Sequence, residues 1–450
     1  MRRRLLSTCV AVLLVAASAG RALGLPPVQR TVLANGLVLL LSEEHSLPFI
    51  TINLLVRTGS KDDPRGEEGL ADLTASSLLL GAEGRTLQQI NEEIDFMGAQ
   101  MEGSANKDYT TVSLRVLKKD LERAFPIFMD VLTKPTFPAE ELEKDIARIK
   151  GAIESSEDQP GVVAERAFEK ALYLGGPYGH PTEGTKESVP KLTREMVEKF
   201  HRAYFHPNNC ILTLVGDIDE KTVKGYVVPR LEQWPGEAVP EARFETRFAA
   251  KSETIKINKP VTQSNIIMGN GAMSRDNPDY YAAVVMNHIL GGGGLNSRLM
   301  EDIRNKRGLA YSVSSAFEAM KYPGPFLVVL QTKNRSAREA MKAAMEDVGR
   351  IRTEPVSERE LDEAKKYLIG SFPQRLGTQG RIASFYAQVE YYGLGLDYPG
   401  KYASLIEAVT REDMLRVGRV YIHPDASVVV IVADLKEAGM EQENEAGQAP

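Results

Sequence analysis

Two segments of the chain repeat one another at a constant offset of 217 residues, as Thr193 and Thr410 illustrate. The first reads LTREMVEKFHRAYFHPNNCILTLVGD and ends at Asp217, and the second reads VTREDMLRVGRVYIHPDASVVVIVAD and ends at Asp434. A Thr-Arg-Glu triplet, a Tyr, a His-Pro pair and the closing Asp recur. Each copy predicts a helix, a turn at the His-Pro pair and a buried strand.

A fainter match supports the same duplication. EELEKDIARIKGAI resembles RELDEAKKYLIGSF, and Gly151 pairs with Gly370 at an offset of 219. Two matches in the same order and at nearly the same offset predict two copies of one fold of about 200 residues.

Strand and helix signals mix without regular βαβ alternation. Asn35-Gly36 is a hairpin turn signal, and long helices are predicted at 139–155 and 358–372. We therefore expect an α+β fold of two homologous lobes, each a mostly antiparallel β-sheet with helices on one face.

The first 24 residues read as a secretory signal peptide. MRRR is a cationic start, LLSTCVAVLLVAASA is an apolar core, and ALG offers a small-residue cleavage site. The alternative is a membrane anchor, but the apolar run is short against the roughly 20 residues of a spanning helix. No later segment is long and apolar enough to span a membrane, so the mature protein is expected to be secreted or periplasmic.

The remaining boundaries follow from composition. The N-terminal lobe is assigned to 25–232, a linker rich in Pro, Glu and Ala to 233–252, and the C-terminal lobe to 253–435. The polar stretch 436–450 is predicted to be a disordered tail.

Charge and cysteine content narrow the functional classes. Cleavage would remove four arginines and no acid, leaving 51 basic and 61 acidic residues. This balance disfavours a nucleic-acid partner. Cleavage would also remove Cys9 and leave Cys210 as the single thiol, so no internal disulfide is expected. Cys210 falls in an apolar run and is interpreted as a buried structural residue.

The stretch GLADLTASSLLL predicts a helix with a poor polar face. Asp72, Ala75 and Ser76 share that face, because positions i, i+3 and i+4 align on a helix. The face carries one carboxylate, one methyl and one hydroxyl.

A strand, a charged turn and this Gly-Leu-Ala helix precede GRTLQQINEEIDFMGAQMEGSANKDYTTVSLRV and a distal helix ending ESSEDQP. This order resembles the pitrilysin/insulinase family of zinc metallopeptidases, which includes the mitochondrial processing peptidase. The resemblance spans nearly the whole mature chain. It implies a clam-shell half built from the two lobes.

The resemblance also shows what this chain lacks. The family helix carries H-x-x-E-H, and a Glu on a later helix is the third zinc ligand. Asp72 and Ser76 stand at the two His positions, Ala75 at the Glu position, and Ala152 at or near the distal ligand. Catalytic zinc needs three protein ligands, so we expect no metal in this chain and no peptidase activity from it alone.

The histidines offer no replacement site. The six lie at 45, 180, 201, 206, 288 and 423, and no pair has i, i+4 spacing. His206 and His423 occupy equivalent places in the repeat, which indicates a structural turn. His180 is interpreted as a loop residue.

The second half holds the sequence LGGGGLNSRLMEDIRNKRGLAYSVSSAF. We interpret the run Gly291, Gly292, Gly293 and Gly294 as a substrate loop, with a merely flexible loop as the alternative. A phosphate site is disfavoured, because neither the G-x-G-x-x-G nor the Walker pattern is present.

The resemblance assigns roles to two residues after this loop. The family places an Arg and a Tyr seven residues apart here, and Arg304 and Tyr311 match. It implies that the Arg contacts substrate carbonyls and that the Tyr supports the oxyanion, in trans. Without the resemblance, Arg304 would be interpreted as a solvated charge. Arg298 and Arg307 are the alternatives.

The leading hypothesis is a non-catalytic, substrate-binding subunit of a heterodimeric zinc endopeptidase. Its partner would be a homologous chain that carries H-x-x-E-H and the zinc, and its ligands would be extended peptides. The second hypothesis is a partnerless peptide-binding or scaffold protein. An autonomous peptidase is disfavoured by the missing ligands.

Overall fold

The computed structural model describes residues 27–240 and 244–441. The predicted signal peptide, 1–24, lies outside the described residues, as do residues 442–450 of the predicted tail. Within the described ranges, no helix combines the length and the apolar character that crossing a bilayer requires.

Thirteen strands and fourteen α-helices are distributed over both halves of the described chain. The strands are β1 Val28–Val32, β2 Val38–Glu43, β3 Phe49–Val56, β4 Gly81–Ala82, β5 Arg85–Thr86, β6 Gln100–Ala105, β7 Thr110–Leu117, β8 Cys210–Gly216, β9 Glu253–Asn258, β10 Gln263–Met273, β11 Ala310–Phe317, β12 Gly324–Lys333 and β13 Val428–Ala433. The helices are α1 Leu70–Ser77, α2 Leu87–Phe96, α3 Leu121–Thr133, α4 Ala139–Ser156, α5 Pro160–Leu172, α6 Arg194–Tyr204, α7 Glu220–Thr222, α8 Val228–Leu231, α9 Tyr280–Asn287, α10 Ala337–Thr353, α11 Glu358–Ser371, α12 Gln379–Tyr391, α13 Tyr398–Glu407 and α14 Arg411–Tyr421.

Two mostly antiparallel sheets form the framework. The first has the order β1-β2-β8-β3-β7-β6, and the second has the order β11-β12-β10-β13-β9. Only one neighbouring pair in each sheet is parallel, β2 with β8 and β13 with β9. Every strand of the first sheet precedes every strand of the second in the chain, and the predicted α+β fold of two lobes is confirmed.

The repeated segments adopt the same structure. Each is a helix (α6 or α14), a short 3-10 turn at the Pro after the His, and a strand with a neighbour on both sides in its sheet (β8 or β13). A Thr side chain caps each helix, Thr193 through the amide of Met196 and Thr410 through that of Asp413. The recurring Thr-Arg-Glu triplet is therefore a helix start.

The two lobes exchange helices. Helix α12 of the C-terminal lobe packs against β3 and β8 of the first sheet, and helix α5 of the N-terminal lobe packs against β10 and β13 of the second. Strands β3 and β8 are consequently buried along nearly their whole length. A face of each sheet that the lobe's own helices leave bare is thus covered by the other lobe.

A buried carboxylate joins the lobes at the β6–β7 turn. Asp108 accepts hydrogen bonds from the hydroxyl of Tyr178, from the hydroxyl of Tyr392 (3.2 Å) and from the backbone amide of Lys321 (2.8 Å). Its backbone carbonyl accepts from the hydroxyl of Tyr391 at 3.1 Å. Buried charge needs such satisfied partners, so these contacts fix the relative position of the lobes.

The connection between the sheets is partly anchored. Trp234 is buried, and its carbonyl accepts a hydrogen bond of 3.0 Å from Asn35. Residues 235–238 are exposed. The chain contacts helix α5 at Ala249, whose backbone amide donates to the carbonyl of Leu172.

The described end of the chain departs from the prediction of a disordered tail. Residues 436–441 continue the turn that follows β13, and Ala438 and Met440 are buried against the C-terminal lobe. Two apolar side chains in the polar stretch explain this difference, because their burial keeps the turn on the core.

Candidate functional site

Helix α1 begins at a turn stabilised by a buried carboxylate. Asp63 accepts hydrogen bonds of 2.8 Å from the amides of both Gly69 and Ala71. Gly69 has a φ of +97° and lies against the backbone of Glu183, a conformation and a spacing that favour glycine. Burial raises the pKa of Asp63 well above its usual range.

The two polar residues of α1 that stand at the family's His positions, Asp72 and Ser76, are engaged in the protein's own hydrogen bonds. The Asp72 carboxylate accepts from the amide of Ala105 in β6 at 3.1 Å, and burial raises its pKa. The Ser76 hydroxyl donates to Asp145 of α4 at 2.9 Å. Ala75 is buried, and its carbonyl lies so close to Gly103 that a β-carbon there would be 2.3 Å away. Helix α1 therefore packs directly on strand β6.

Ala152, which stands at or near the family's third zinc ligand, lies on α4 and is exposed. The α4 residue that reaches α1 is instead Asp145, which also pairs with Arg148 at 2.5 Å. The sequence analysis missed Asp145, although it shares a helix face with Leu142 and Ile149 and is buried beside them.

The side chains at the four positions that correspond to the family's zinc site do not form a zinc site here. They are Asp72, Ala75, Ser76 and Ala152. The four positions supply one carboxylate, one hydroxyl and two methyl groups, and the Asp145 carboxylate beside them is already paired with Arg148. Catalytic zinc needs three nitrogen, sulfur or oxygen ligands. No group of three or more His, Cys, Asp or Glu residues in the described ranges 27–240 and 244–441 is arranged to hold a metal ion.

The histidines make structural contacts. His201 contacts the carbonyl of Leu132 at 2.9 Å, and burial lowers its pKa to about 4. His206 contacts the carbonyl of Arg202 at 2.6 Å before the 3-10 turn. His423 begins the equivalent turn of the second lobe.

The glycine run is more ordered than predicted. Residues His288–Gly292 form a π-helical turn that continues α9, so the predicted loop is wrong for Gly291 and Gly292. A β-carbon on Gly291 would lie 2.5 Å from the backbone nitrogen of Ser315, so the glycine lets this turn contact β11. Gly294, with a φ of +63°, is the position that needs positive φ.

A cavity of about 1130 Å³ borders the glycine run. Gly293 and Leu295 line one side of it, and residues of α11 line another. Leu295 is 60% exposed, which leaves an apolar side chain at the mouth of a cavity whose lining is mostly charged. The cavity is large enough for several residues of a bound peptide.

The side chain of Arg304 is free to bind a ligand. It lies in the π-helical turn Met300–Lys306 and is exposed, and its guanidinium has no hydrogen bond or ion pair with any described residue. The alternatives named from the sequence differ from it. Arg298 pairs with Glu360 at 2.7 Å, and Arg307 pairs with Asp302 at 2.9 Å. The Arg298 guanidinium lowers the pKa of Glu360 to about 2.

The side chain of Tyr311 is also free to bind a ligand. Its side chain is 51% exposed, and its hydroxyl has no partner among the residues that the structure describes. It lies where the register of β11 and β12 shifts, between Ala310 and Ser312. A bulge of this kind redirects a side chain. A turn at Gly308 joins the Arg304 segment to β11, so both residues lie on adjoining elements.

Strand β11 is also an edge of its sheet, since its described partner is β12 alone. Strand β6, beside the degenerate metal helix, is an edge of the other sheet. Edge strands expose backbone donors and acceptors that an extended peptide can pair with.

Known proteins with similar sequences point to one family. The family model "Insulinase (Peptidase family M16)" matches residues 38–186, and "Peptidase M16 inactive domain" matches residues 191–368. An "uncharacterized zinc protease" of Streptomyces coelicolor is 26% identical over 417 residues, covering 91% of this chain and 90% of the relative. The "non-peptidase homolog YmxG" of Helicobacter pylori is 28% identical over 359 residues, covering 79% and 81%.

Solved structures of similar proteins point to the same family. A crystal structure of a "peptidase M16 inactive domain" from Pseudomonas fluorescens has a TM-score of 0.85 and 29% identity, covering 90% of this chain and 98% of that one. A protease from Helicobacter pylori has a TM-score of 0.84 at 18% identity, covering 91% and 100%, which shows a shared fold. The two family models together match more than half of the sequence, and the chain belongs to the insulinase family, peptidase family M16, as a homologue without the family's zinc ligands.

Proposed function

We propose that this protein is the non-catalytic, substrate-binding subunit of a heterodimeric zinc endopeptidase. The carrying observation is that Arg304 and Tyr311 are both exposed and free of partners within the described chain, whereas Arg298 and Arg307 are paired. An exposed guanidinium can donate to peptide carbonyls, and an exposed phenol can donate to an oxyanion.

The partner in this proposal is a homologous chain with H-x-x-E-H that holds the zinc. In this proposal this chain itself holds no zinc, because the side chains at Asp72, Ala75, Ser76 and Ala152 supply only one carboxylate and one hydroxyl. The partner's zinc would activate the attacking water. This chain's residues would bind and orient the peptide and supply a donor to the carbonyl oxygen.

The place of action in this proposal is the periplasm or the exterior. The support is the sequence of residues 1–24, with its cationic start, short apolar core and small-residue site. Blocking signal cleavage and following the chain by fractionation tests this step. Retention of the full-length chain in the cytoplasm would contradict it.

The second candidate is a peptide-binding or scaffold protein with no proteolytic partner. The observation that favours it is the pair of open edge strands, β6 and β11, which could bind extended peptides without any chemistry.

One experiment separates the two candidates. The native protein is purified from its own source under mild conditions, and the eluate is analysed for co-purifying proteins, zinc and peptide cleavage. A stoichiometric H-x-x-E-H homologue with zinc and chelator-sensitive activity supports the subunit. A chain that purifies alone, binds peptides and cleaves none supports the scaffold.

A further inference from the structure

A second cavity, of about 390 Å³, lies in the C-terminal lobe, and neither Arg304 nor Tyr311 is among its lining residues. It is bounded by the start of α9, the segment between α11 and α12, the outer side of α12 and the loop that follows α12. Its volume is within the range of about 300–1,000 Å³ that small-molecule sites occupy. The residues that give it its character are Arg275, Arg375, Arg381, Tyr280, Phe385 and Tyr398.

The three arginines lack counter-charges. No acidic side chain lines this cavity, and within the described chain none of the three guanidinium groups has a carboxylate within ion-pair distance. The carboxylates next to lining residues have partners of their own. Glu390 pairs with Arg30 at 2.8 Å and Asp397 with Lys401 at 2.5 Å, whereas Asp276 accepts from the Ser274 hydroxyl and Asp108 from the Tyr392 hydroxyl.

This arrangement is unusual for the molecule. The chain has more acidic than basic residues, 61 against 55, and the cavity beside the glycine run is lined by acids as well as bases, Glu301, Asp302 and Arg298 among them. Three unpaired guanidinium groups around one concavity create a local positive potential, which attracts anions.

Arg275 is held in place before any ligand arrives. Its guanidinium carbon lies 3.7 Å from the centre of the Tyr280 ring, and the group donates to the Tyr398 hydroxyl at 3.1 Å. Its backbone amide donates to the carbonyl of Met320 at 2.7 Å. A guanidinium that is already ordered loses little entropy on binding, and its fork of donors matches the two oxygens of a carboxylate or phosphate.

Arg375 and Arg381 complete the rim. Both are exposed, so they remain hydrated and can reorient towards a ligand. The Arg381 guanidinium donates to the carbonyl of Gln374 at 3.1 Å, and that of Arg375 lies 5.7 Å from the centre of the Tyr402 ring. Neither contact neutralises the positive charge.

We infer that this cavity is a binding site for a multivalent oxyanion, a ligand with two or more carboxylate or phosphate groups. The ordered Arg275 would hold one group bidentately, and the two rim arginines would hold the others. The aromatic walls, Tyr280 and Phe385, would contact the apolar part of the ligand. The same chemistry is found in free polyanions and in the acidic side chains of a peptide.

The test uses the full mature chain and three probes, tripolyphosphate, citrate and an acetylated hexapeptide of alternating Asp and Glu. Binding is measured by titration calorimetry at low ionic strength, where surface electrostatics are least screened. We expect saturable binding of at least one probe at one site per chain. Binding of the small ions alone identifies a free polyanion, and binding of the peptide alone identifies an acidic peptide segment.

The variants locate the site. Arg375→Gln combined with Arg381→Gln should weaken binding about tenfold or more, because charged hydrogen bonds are lost, and the exposed positions should leave the thermal midpoint unchanged. Arg275→Lys keeps the charge and loses the fork, and it should weaken binding as well. The control removes the same two charges elsewhere, Arg123→Gln with Arg335→Gln. Failure of all three probes to bind the folded protein, or equal weakening in the rim variant and the control, overturns the inference.

Discussion

The Ser76 hydroxyl donates a 2.9 Å hydrogen bond to the Asp145 carboxylate and so joins α1 to α4. In the family that the chain belongs to, the zinc ligands come from the helices at these two places. In this chain a hydrogen bond between side chains links the two helices. The two helices are therefore held together by the protein's own side chains at this place.

Zinc content follows from this arrangement. After dialysis, the purified mature chain should contain zinc far below one atom per chain, because Asp72 is the only acid among the four degenerate positions. Elemental analysis checks the content, and a chelator should leave the thermal midpoint unchanged. One tightly held zinc per chain, lost together with stability on chelation, would show that this chain does contain a zinc site.

Tyr311→Phe should reduce turnover in the assembled complex. The change removes one hydroxyl without a described partner, so folding and pairing should be unaffected. Loss of an oxyanion donor typically lowers kcat about 10²–10³-fold with little change in KM. Tyr204→Phe is the control, because that hydroxyl also lacks a described partner and lies on α6. Full activity of Tyr311→Phe in a verified complex would show that Tyr311 supplies no oxyanion donor and would contradict its proposed role.

Arg304→Ala should raise KM, because the guanidinium is proposed to contact peptide carbonyls in the ground state. Stability should not change, since no described interaction is lost. The matched control is Arg307→Ala, which removes the same charge from the end of the same turn but breaks the pair with Asp302. Steady-state kinetics and thermal melts of both variants provide the comparison. Equal KM values for the two variants would count against a role for Arg304.

Proteolysis should separate the chain into two fragments that stay together. Residues 235–238 are exposed and follow the buried Trp234, so a protease should cut the connection first. The exchanged helices α5 and α12 should then hold the fragments in one particle. Denaturing gels report the cut, and size-exclusion chromatography reports the association. Fragments that elute separately would contradict the helix exchange.

Stability should fall as pH rises between about 4.5 and 7. Burial raises the pKa of Glu169 from its ordinary 4.5 to about 7, against the opposing effect of Lys107. Glu165 and Glu318 face the same group and raise the pKa further. In this window the folded chain binds a proton that the unfolded chain has released, so each increase in pH favours unfolding.

The pH test compares urea unfolding of the wild type, Glu169→Gln and the exposed Glu143→Gln at several pH values. Glu169→Gln should flatten the decline in the free energy of unfolding, and Glu143→Gln should not. An unchanged slope in Glu169→Gln would show that other groups carry the dependence.

The sequence predicted the features that local patterns encode. The repeat at Thr193 and Thr410 located equivalent helices, and the helix predicted at 139–155 agrees with α4 to within one residue at its end. The sequence also showed that Asp72 and Ser76 stand where the family has zinc-binding His residues, because the type of a ligand depends on the residue at a single position.

The sequence did not predict features that depend on distant contacts. The sequence predicts a loop at the glycine run, whereas the close approach of Gly291 to Ser315 is a tertiary contact that no local pattern encodes. The hydrogen bond between Ser76 and Asp145 joins two residues that are 69 positions apart in the sequence. The exchange of α5 and α12 has no local signature, since an amphipathic helix does not indicate which sheet it covers.

This exchange governs the order of events during synthesis. The ribosome releases the N-terminal lobe first, but helix α12, which covers β3 and β8, lies at Gln379–Tyr391 near the end of the chain. A nascent chain must therefore leave one face of its first sheet uncovered until most of translation is complete. Domains that fold independently can do so in sequence as they emerge, whereas these two lobes can reach their final packing only together.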